Sequence, residues 1–213
     1  FLKYELDDYL SGRARARKDE LPLAKCEDQG FVYYQKGSLA TYALREYAGE
    51  EALNAALRAF VGRHAFQGPP YPGAIEFVSV LRAATPPEYA YLIEDAFETI
   101  TLYDNRCESA EVETTADGRY RVTLELSSRK VRSDGRGVET EIGHNDWVEV
   151  GVYGEKAADG EAPLLYLGKH RLTNGENEVA VVVDGKPARA GIDPRHLLID
   201  RVPDDNVRKT VEA

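Results

Sequence analysis

Histidine and cysteine side chains are the groups in this chain that could bind a transition metal. The four histidines are widely separated, at His64, His144, His170 and His196. No two of them have the HxH, HxxxH or HExxH spacing that directs a pair of imidazoles to one metal ion. Cys26 and Cys107 form no CxxC pair and are too few for a disulfide framework, so we expect both to be buried free thiols. The sequence therefore predicts no zinc or other cofactor within this chain.

Motifs for nucleophilic catalysis and for phosphate binding are also missing. The chain has no GxSxG nucleophile elbow and no P-loop, and Gly135-Arg136-Gly137 lacks the third glycine of a dinucleotide-binding loop. With 27 basic and 37 acidic residues, the formal net charge is −10, which opposes binding to nucleic-acid phosphates. A basic cluster at 13–18 is followed by acidic residues at 19–20, and we interpret it as a solvated charged segment. We therefore expect no nucleic-acid partner.

The segment Phe31–Leu39, which reads FVYYQKGSL, has the clearest chemical potential. A tyrosine hydroxyl has a pKa of about 10, so it stays protonated at neutral pH and can donate to an oxygen that gains negative charge. A helix that begins near Lys36 would place the positive end of its dipole close by. The chain has 13 tyrosines, most of which must serve packing, so residue type alone does not select one of them.

The order of these residues resembles the aminopeptidase N family of zinc metallopeptidases, the gluzincins. The match is Tyr34-Gln35-Lys36-Gly37 at the start of a helix, followed by LREYAGEEA at 44–52. In that family the tyrosine before x-Lys-Gly hydrogen-bonds the oxyanion of the tetrahedral intermediate, and the match implies this catalytic role for Tyr34. The family most often has Glu where this chain has Gln35. Tyr33 is the alternative if the motif is displaced by one residue.

Further segments look like a bacterial branch of this family, in which such a module follows an ABC-type permease. These segments are 66–72, 94–97, 103–106, 190–194 and 204–207. The resemblance implies that zinc is bound in the parent protein, by an HExxH motif and a glutamate upstream of Phe1. It also implies a membrane-associated parent, with this segment itself soluble. Because the chain begins with Phe1 and contains no methionine, we expect it to be a fragment.

We therefore predict the C-terminal fragment of a zinc-dependent aminopeptidase-like hydrolase whose parent removes N-terminal residues from peptides. The isolated chain is predicted to be inactive. Its expected partners are the missing N-terminal zinc-binding lobe and, in the parent, a peptide substrate. Surplus apolar surface on the helices also predicts self-association of the fragment. The alternative is a non-catalytic binding or scaffold module of a protein associated with a membrane transporter, and the sequence upstream of Phe1 would separate the two.

The elements that must position Tyr34 are helices in the first hundred residues. Apolar residues recur at helical spacing in the stretches 1–10, 38–48, 50–61, 75–81 and 89–100. Ser11-Gly12 predicts the end of the first helix, and Thr85-Pro86-Pro87-Glu88 predicts a capping box with Thr85 as N-cap. His64 lies on an apolar helix stripe and is predicted to be a packing residue.

After about residue 102 the hydrophobic period changes from 3.6 to 2. About seven alternating strands are separated by turn dipeptides, among them Asp117-Gly118 with a type I′ signature. This spacing predicts an antiparallel β-sandwich. The predicted fold class is α+β. Residues 1–103 form the helical C-terminal part of a thermolysin-like catalytic domain, as the resemblance implies, and residues 104–213 form an Ig-like β-sandwich.

Overall fold

The computed structural model describes residues 1–157, 160 and 162–213. Helices occupy the first part of the chain and largely antiparallel sheets the second, which confirms the predicted α+β class at this level. The chain divides into two compact units. The helical unit comprises Phe1–Thr101 with Arg132–Thr140, and the sheet unit comprises Leu102–Val131 with Glu141–Ala213. The assignment of 1–103 and 104–213 to domains of known kinds stays a prediction.

The helical unit combines α-helices with short 3₁₀ and π-helical turns. The α-helices are α1 (Leu2–Arg15), α2 (Gly37–Ala48), α3 (Glu50–His64), α4 (Ala74–Ala84) and the single turn α5 (Tyr91–Ile93). The 3₁₀ turns are Leu23–Lys25 and Pro87–Tyr89, and the π-helical turns are Phe31–Lys36 and Glu94–Glu98. The core contains Leu6, Tyr9, Val32, Leu39, Leu44 and Ile93. The helices predicted at 38–48, 50–61 and 75–81 are confirmed.

Helix α1 continues past the stop predicted at Ser11-Gly12. A Cβ atom built on Gly12 would lie 2.5 Å from Cβ of Phe31, so glycine is required for the close approach of two segments rather than for ending a helix. The prediction that residues 13–18 form a solvated charged segment is also wrong at Arg13. Arg13 Nε donates to Glu20 Oε2 at 2.7 Å, and Glu20 is buried.

The capping box predicted at Thr85 is wrong. Thr85 is buried, and its Oγ1 donates to the carbonyl oxygen of Leu81 at 2.8 Å, so it closes helix α4 instead of opening the next element. The Pro87–Tyr89 turn that follows has no side-chain cap. The helix predicted over 89–100 is confirmed at 91–98, where α5 and the second π-helical turn follow one another without a break, but a strand begins at Ile100.

The sheet unit contains two sheets. The first has the order β3-β2-β1-β9, with β6 also paired to β2, and the second has the order β5-β4-β7-β8. The strands are β1 (Ile100–Thr114), β2 (Tyr120–Ser133), β3 (Glu139–Ile142), β4 (Asn145–Gly154), β5 (Leu164–Thr173), β6 (Gly175–Val183), β7 (Pro187–Ile192), β8 (Val207–Lys209) and β9 (Val211–Glu212). The short strand β9 pairs with β1 in parallel, whereas β7 and β8 are antiparallel.

The predicted alternation is confirmed in β2, where the fully buried Val122 and Leu124 alternate with less buried residues. On β4, Val148 and Val150 are fully buried as predicted, but Glu149 between them is only 2% exposed, so alternating burial is not found there. The type I′ turn predicted at Asp117-Gly118 is wrong, because the positive φ of +81° occurs at Gly118 and not at Asp117. The Gly118 N–H donates to the Thr115 carbonyl oxygen at 2.9 Å, the pattern of a type I turn followed by a glycine bulge.

Apolar side chains of the helices are mostly buried within the described structure. Leu6, Leu53 and Phe97, from the three helices predicted to carry surplus apolar surface, have 6% exposure or less. The large exposed apolar groups of this unit include Phe66, Tyr71 and Ile75, in the loop after α3 and at the start of α4. No helix in the described ranges is long and apolar enough to span a bilayer.

Candidate functional site

Tyr34 lies in the π-helical turn Phe31–Lys36, which leads directly into α2. Such turns are rare, usually single, and frequent at functional sites. The rings of Tyr33 and Tyr34 meet edge to face, with centroids 4.5 Å apart. Tyr33 is 43% exposed and Tyr34 is 66% exposed. The Tyr33 hydroxyl lies near Gly30 at the start of the turn, 3.9 Å from the position that a Cβ atom on this glycine would take. Because Tyr34 is the more exposed of the two tyrosines, it has the greater access to an external ligand.

Lys36 fixes the same turn from its buried side. The side chain has no exposed surface, and its Nζ donates to the carbonyl oxygen of Thr99 at 3.1 Å. Nζ also lies 6.0 Å from the centroid of the Tyr9 ring, on helix α1. Burial lowers the pKa of Lys36 to about 8, while the charge of Glu20 acts in the opposite direction. The ammonium group is therefore mainly protonated at neutral pH.

Glu20 supplies the carboxylate that offsets the buried positive charge. It accepts hydrogen bonds from the Tyr9 hydroxyl and from Arg13 Nε. Burial, together with the charge of Glu20, raises the pKa of Tyr9 well above its usual value, so Tyr9 remains a donor. The turn that presents Tyr34 is thus connected, through Lys36, to a hydrogen-bonded group inside the helical unit.

The segment Arg132–Thr140, which connects β2 to β3, completes this group from a distant part of the sequence. Ser133 Oγ accepts from Arg13 Nη2 at 2.9 Å, and the Gly135 carbonyl oxygen accepts from the Glu20 N–H at 2.9 Å. Gly135 has φ +85°, and a Cβ there would lie 2.2 Å from the Glu20 carbonyl oxygen. In the sequence, Gly135 is only part of an incomplete dinucleotide-binding loop, because its packing role depends on a contact with a distant segment of the folded chain.

The residues around Tyr34 do not provide a zinc site. Across residues 1–157, 160 and 162–213, no three His, Cys, Asp or Glu side chains come together in a way that could hold a metal ion. No catalytic step through a metal is therefore derived from this chain. The arrangement does provide an accessible hydroxyl on a fixed turn. The helix start predicted near Lys36 is wrong, because helical backbone runs without a break from Gly30 through the turn into α2, and the positive end of the dipole therefore lies at the start of the turn. Chemically, the hydroxyl is a hydrogen-bond donor that could stabilise a developing negative charge.

The sheet unit contains a second group of reactive residue types, which sequence analysis missed. His144 Nε2 lies 3.2 Å from Ser128 Oγ, and His144 Nδ1 lies 3.5 Å from Asp146 Oδ2. The histidine lies between the serine and the aspartate, as in a Ser-His-Asp catalytic triad. However, neither Ser128 nor the His144 side chain has exposed surface. A substrate carbonyl cannot reach Ser128 in this structure. We therefore interpret this buried triad-like network as structural.

The partners of Asp146 agree with that interpretation. Lys130 Nζ and the Tyr103 hydroxyl both donate to Asp146 Oδ2, each at 2.8 Å. Ser128 Oγ also donates to Asn105 Oδ1 at 2.7 Å. Burial lowers the pKa of His144, with Lys130 acting in the same direction and Asp146 against it. The network joins side chains of β1, β2 and β4 inside the sheet unit.

The other candidate metal ligands serve local packing. His64 contacts the Phe60 ring, with centroids 4.8 Å apart, as predicted for a packing residue. His170 Nε2 lies 2.8 Å from the Tyr166 hydroxyl. Both cysteines are free, as predicted, but only Cys107 is fully buried, whereas Cys26 is half-buried.

Comparison of this chain with protein-family models finds no family that matches it, and comparison with curated proteins finds no match either. The likeness to aminopeptidase N proteins therefore depends on the sequence pattern around Tyr34 and on the segments that follow it. The structure adds the exposure and the support of that tyrosine.

Proposed function

We propose that this chain is the C-terminal part of a zinc-dependent aminopeptidase-like protein, in which Tyr34 stabilises the transition state of peptide hydrolysis. The observation that carries the proposal is the placement of Tyr34: its ring is 66% exposed, on a π-helical turn that the buried Lys36 fixes to Thr99. A donor held in this way needs little reorganisation when charge develops on a substrate oxygen.

The role of Tyr34 follows from the chemistry of a phenol. When a peptide carbonyl is attacked, its oxygen becomes more negative, and a hydrogen bond from Tyr34 then strengthens. Because this gain occurs mainly in the transition state, the hydroxyl raises turnover more than it raises substrate affinity. Bound zinc would supply an activated water and polarise the carbonyl, through ligands in a segment upstream of this sequence.

The same proposal assigns finer identities to the two units. The helical unit would be the C-terminal part of a thermolysin-like domain, and the sheet unit would be an Ig-like β-sandwich. Support comes from the order of the elements and from the fully buried alternate residues of β2. The upstream zinc-binding lobe would be the partner of the helical unit, in a parent associated with a membrane through its permease part.

The test compares two tyrosine variants in the full-length parent. Tyr34→Phe removes one hydroxyl and keeps the ring, and we expect turnover to fall by roughly 10²–10³, with substrate affinity much less altered. Tyr33→Phe is the matched control on the same turn and should lose far less. If Tyr34→Phe stays within a few-fold of wild-type turnover in an active parent, the catalytic assignment is wrong. A parent without an upstream HExxH motif would instead support a non-catalytic scaffold.

A further inference from the structure

A cleft of about 730 Å³ lies within the sheet unit. Its walls come from the end of β1, the start of β2, the end of β4, the start of β7, and the chain from β8 to β9. Val112, Tyr120 and Val211 give it apolar surface. This volume falls within the range of small-molecule sites, which combine apolar walls with a few polar groups.

The cleft is lined by more positive than negative side chains, although the whole chain has a formal net charge of −10. The cationic residues are Lys156, Lys186, Arg189 and Lys209, and the acidic residues are Glu155 and Glu212. Within the described part of the chain, none of these four cations has a carboxylate within 4 Å. Among the described lining residues, positive side chains therefore outnumber negative ones by four to two, and none of the cations is held in a close ion pair.

Two of these cations are directly opposite each other. Arg189 on β7 and Lys209 on β8 are Cα partners in the antiparallel pairing. Like charges in directly opposite positions destabilise a sheet, because the side chains are about 5 Å apart at Cβ. An anion bound between them would remove that repulsion and accept hydrogen bonds from both.

The backbone around these cations is fixed. The Thr210 N–H donates to the Ala188 carbonyl oxygen at 3.0 Å, and Thr210 Oγ1 donates to the Pro187 carbonyl oxygen at 3.1 Å. The next residues leave the second sheet and pair with β1, where Val112 is the partner of Glu212. The segment Lys209–Glu212 thus links the edges of both sheets and forms one wall of the cleft.

We infer that this cleft binds a phosphate monoester with a small apolar body, through Arg189 and Lys209. Two adjacent cations suit a dianionic group, and the apolar wall suits the organic part of the ligand. Lys186 and Lys156 add positive charge at the rim. This site is independent of Tyr34 and goes beyond the proposed peptidase role.

The test titrates the full 213-residue chain with phenyl phosphate, whose organic part is apolar, and separately with inorganic phosphate, while backbone amide shifts are followed by NMR. We expect shifts at Arg189 and Lys209, with a Kd on the order of 1 mM or lower for the monoester and weaker binding of inorganic phosphate. The double variant Arg189→Gln, Lys209→Gln should bind at least roughly tenfold more weakly. It should melt no lower than wild type without ligand, because the repulsion is removed.

Arg121→Gln is the matched control, since it removes one exposed cation next to Tyr120 on a residue that does not line the cleft. This variant should bind the monoester like wild type. An equal loss of monoester affinity in the control and in the double variant, or no amide shift at the cleft, would overturn the inference.

A second arm of the experiment measures binding to vesicles of phosphatidylcholine with phosphatidic acid. Binding to them but not to phenyl phosphate would identify a lipid headgroup as the source of the same phosphate chemistry.

Discussion

The turn of Tyr34 and the buried triad-like network of Ser128, His144 and Asp146 use reactive side chains in opposite ways. Tyr34 has no catalytic partner among the residues around it, yet its ring is exposed and its turn is fixed from the buried side. Ser128 has the partners of a catalytic serine, yet it is fully enclosed. Reactive side chains also lie close together in structural networks, so their proximity alone does not indicate catalysis. The comparison shows that a side chain must in addition be accessible to a ligand and held in place by its surroundings.

The largest expected effect concerns the enclosed network. Asp146→Ala would leave the buried Lys130 ammonium without its nearest carboxylate, and we expect unfolding free energy to fall by about 3–5 kcal/mol. Urea denaturation at neutral pH measures the change. Asp117→Ala removes an exposed carboxylate that pairs with Arg119 and accepts a hydrogen bond from Thr115, and it should change stability far less than Asp146→Ala. A loss below about 1 kcal/mol for Asp146→Ala would show that the network is not a structural one.

The next effect concerns the support of Tyr34 and has a defined sign. Since the pKa of Lys36 falls from 10.5 to about 8 on folding, the unfolded chain binds more protons between these two values. Stability of wild type relative to Lys36→Met should therefore rise by up to about 3 kcal/mol from pH 8 to pH 10.5 and stay level below pH 8. Denaturation series at several pH values test this. Lys25→Met, at an exposed position, corrects for the change in net charge.

If the wild-type advantage over Lys36→Met falls with rising pH, then Lys36 is stabilised as a cation by its surroundings. The interpretation of a desolvated lysine under the turn would then be wrong.

A smaller change in stability is expected at Gly12, and it tests whether packing holds Phe31, the first residue of the turn that contains Tyr34. Gly12→Ala would place a methyl group 2.5 Å from Cβ of Phe31, and the resulting displacement should destabilise the protein by about 1–3 kcal/mol. Gly62→Ala on α3 is the matched control, because its Cβ would meet nothing within 4 Å. That change should stabilise by about 0.5–1 kcal/mol through helix propensity. Thermal unfolding measures both changes in stability, and changes of the same sign in the two variants would contradict the packing role of Gly12.

The smallest effect is expected at Tyr34 itself. Tyr34→Phe should change the unfolding free energy by no more than about 0.5 kcal/mol, because the residue is largely exposed. The same change at Tyr103 removes a buried donor to Asp146 and should destabilise by about 1.5–3 kcal/mol. Chemical denaturation of both variants separates the two kinds of hydroxyl. Similar losses of unfolding free energy in the two variants would mean that Tyr34 is a packing residue.

The sequence determined the parts of this protein that depend on local periodicity. Helices at 38–48 and 50–61 and the alternation of β2 were predicted because one face of each element is apolar at the period of its backbone. The change of period also separated the helix-rich part of the chain from the strand-rich part. Tyr34 was selected through a motif, and its catalytic role stays a prediction.

Only the tertiary structure decided which polar residues are enclosed. Lys36 occurs at helical spacing with Val32, Leu39 and Ala43, so a signal for its burial was present, but a lysine on an apolar stripe more often extends to solvent. Gly12 and Gly135 have the residue types of helix ends and loops, yet contacts with distant segments gave them other roles. The physical reason is that burial depends on what packs against a residue, and those partners lie far away in the sequence.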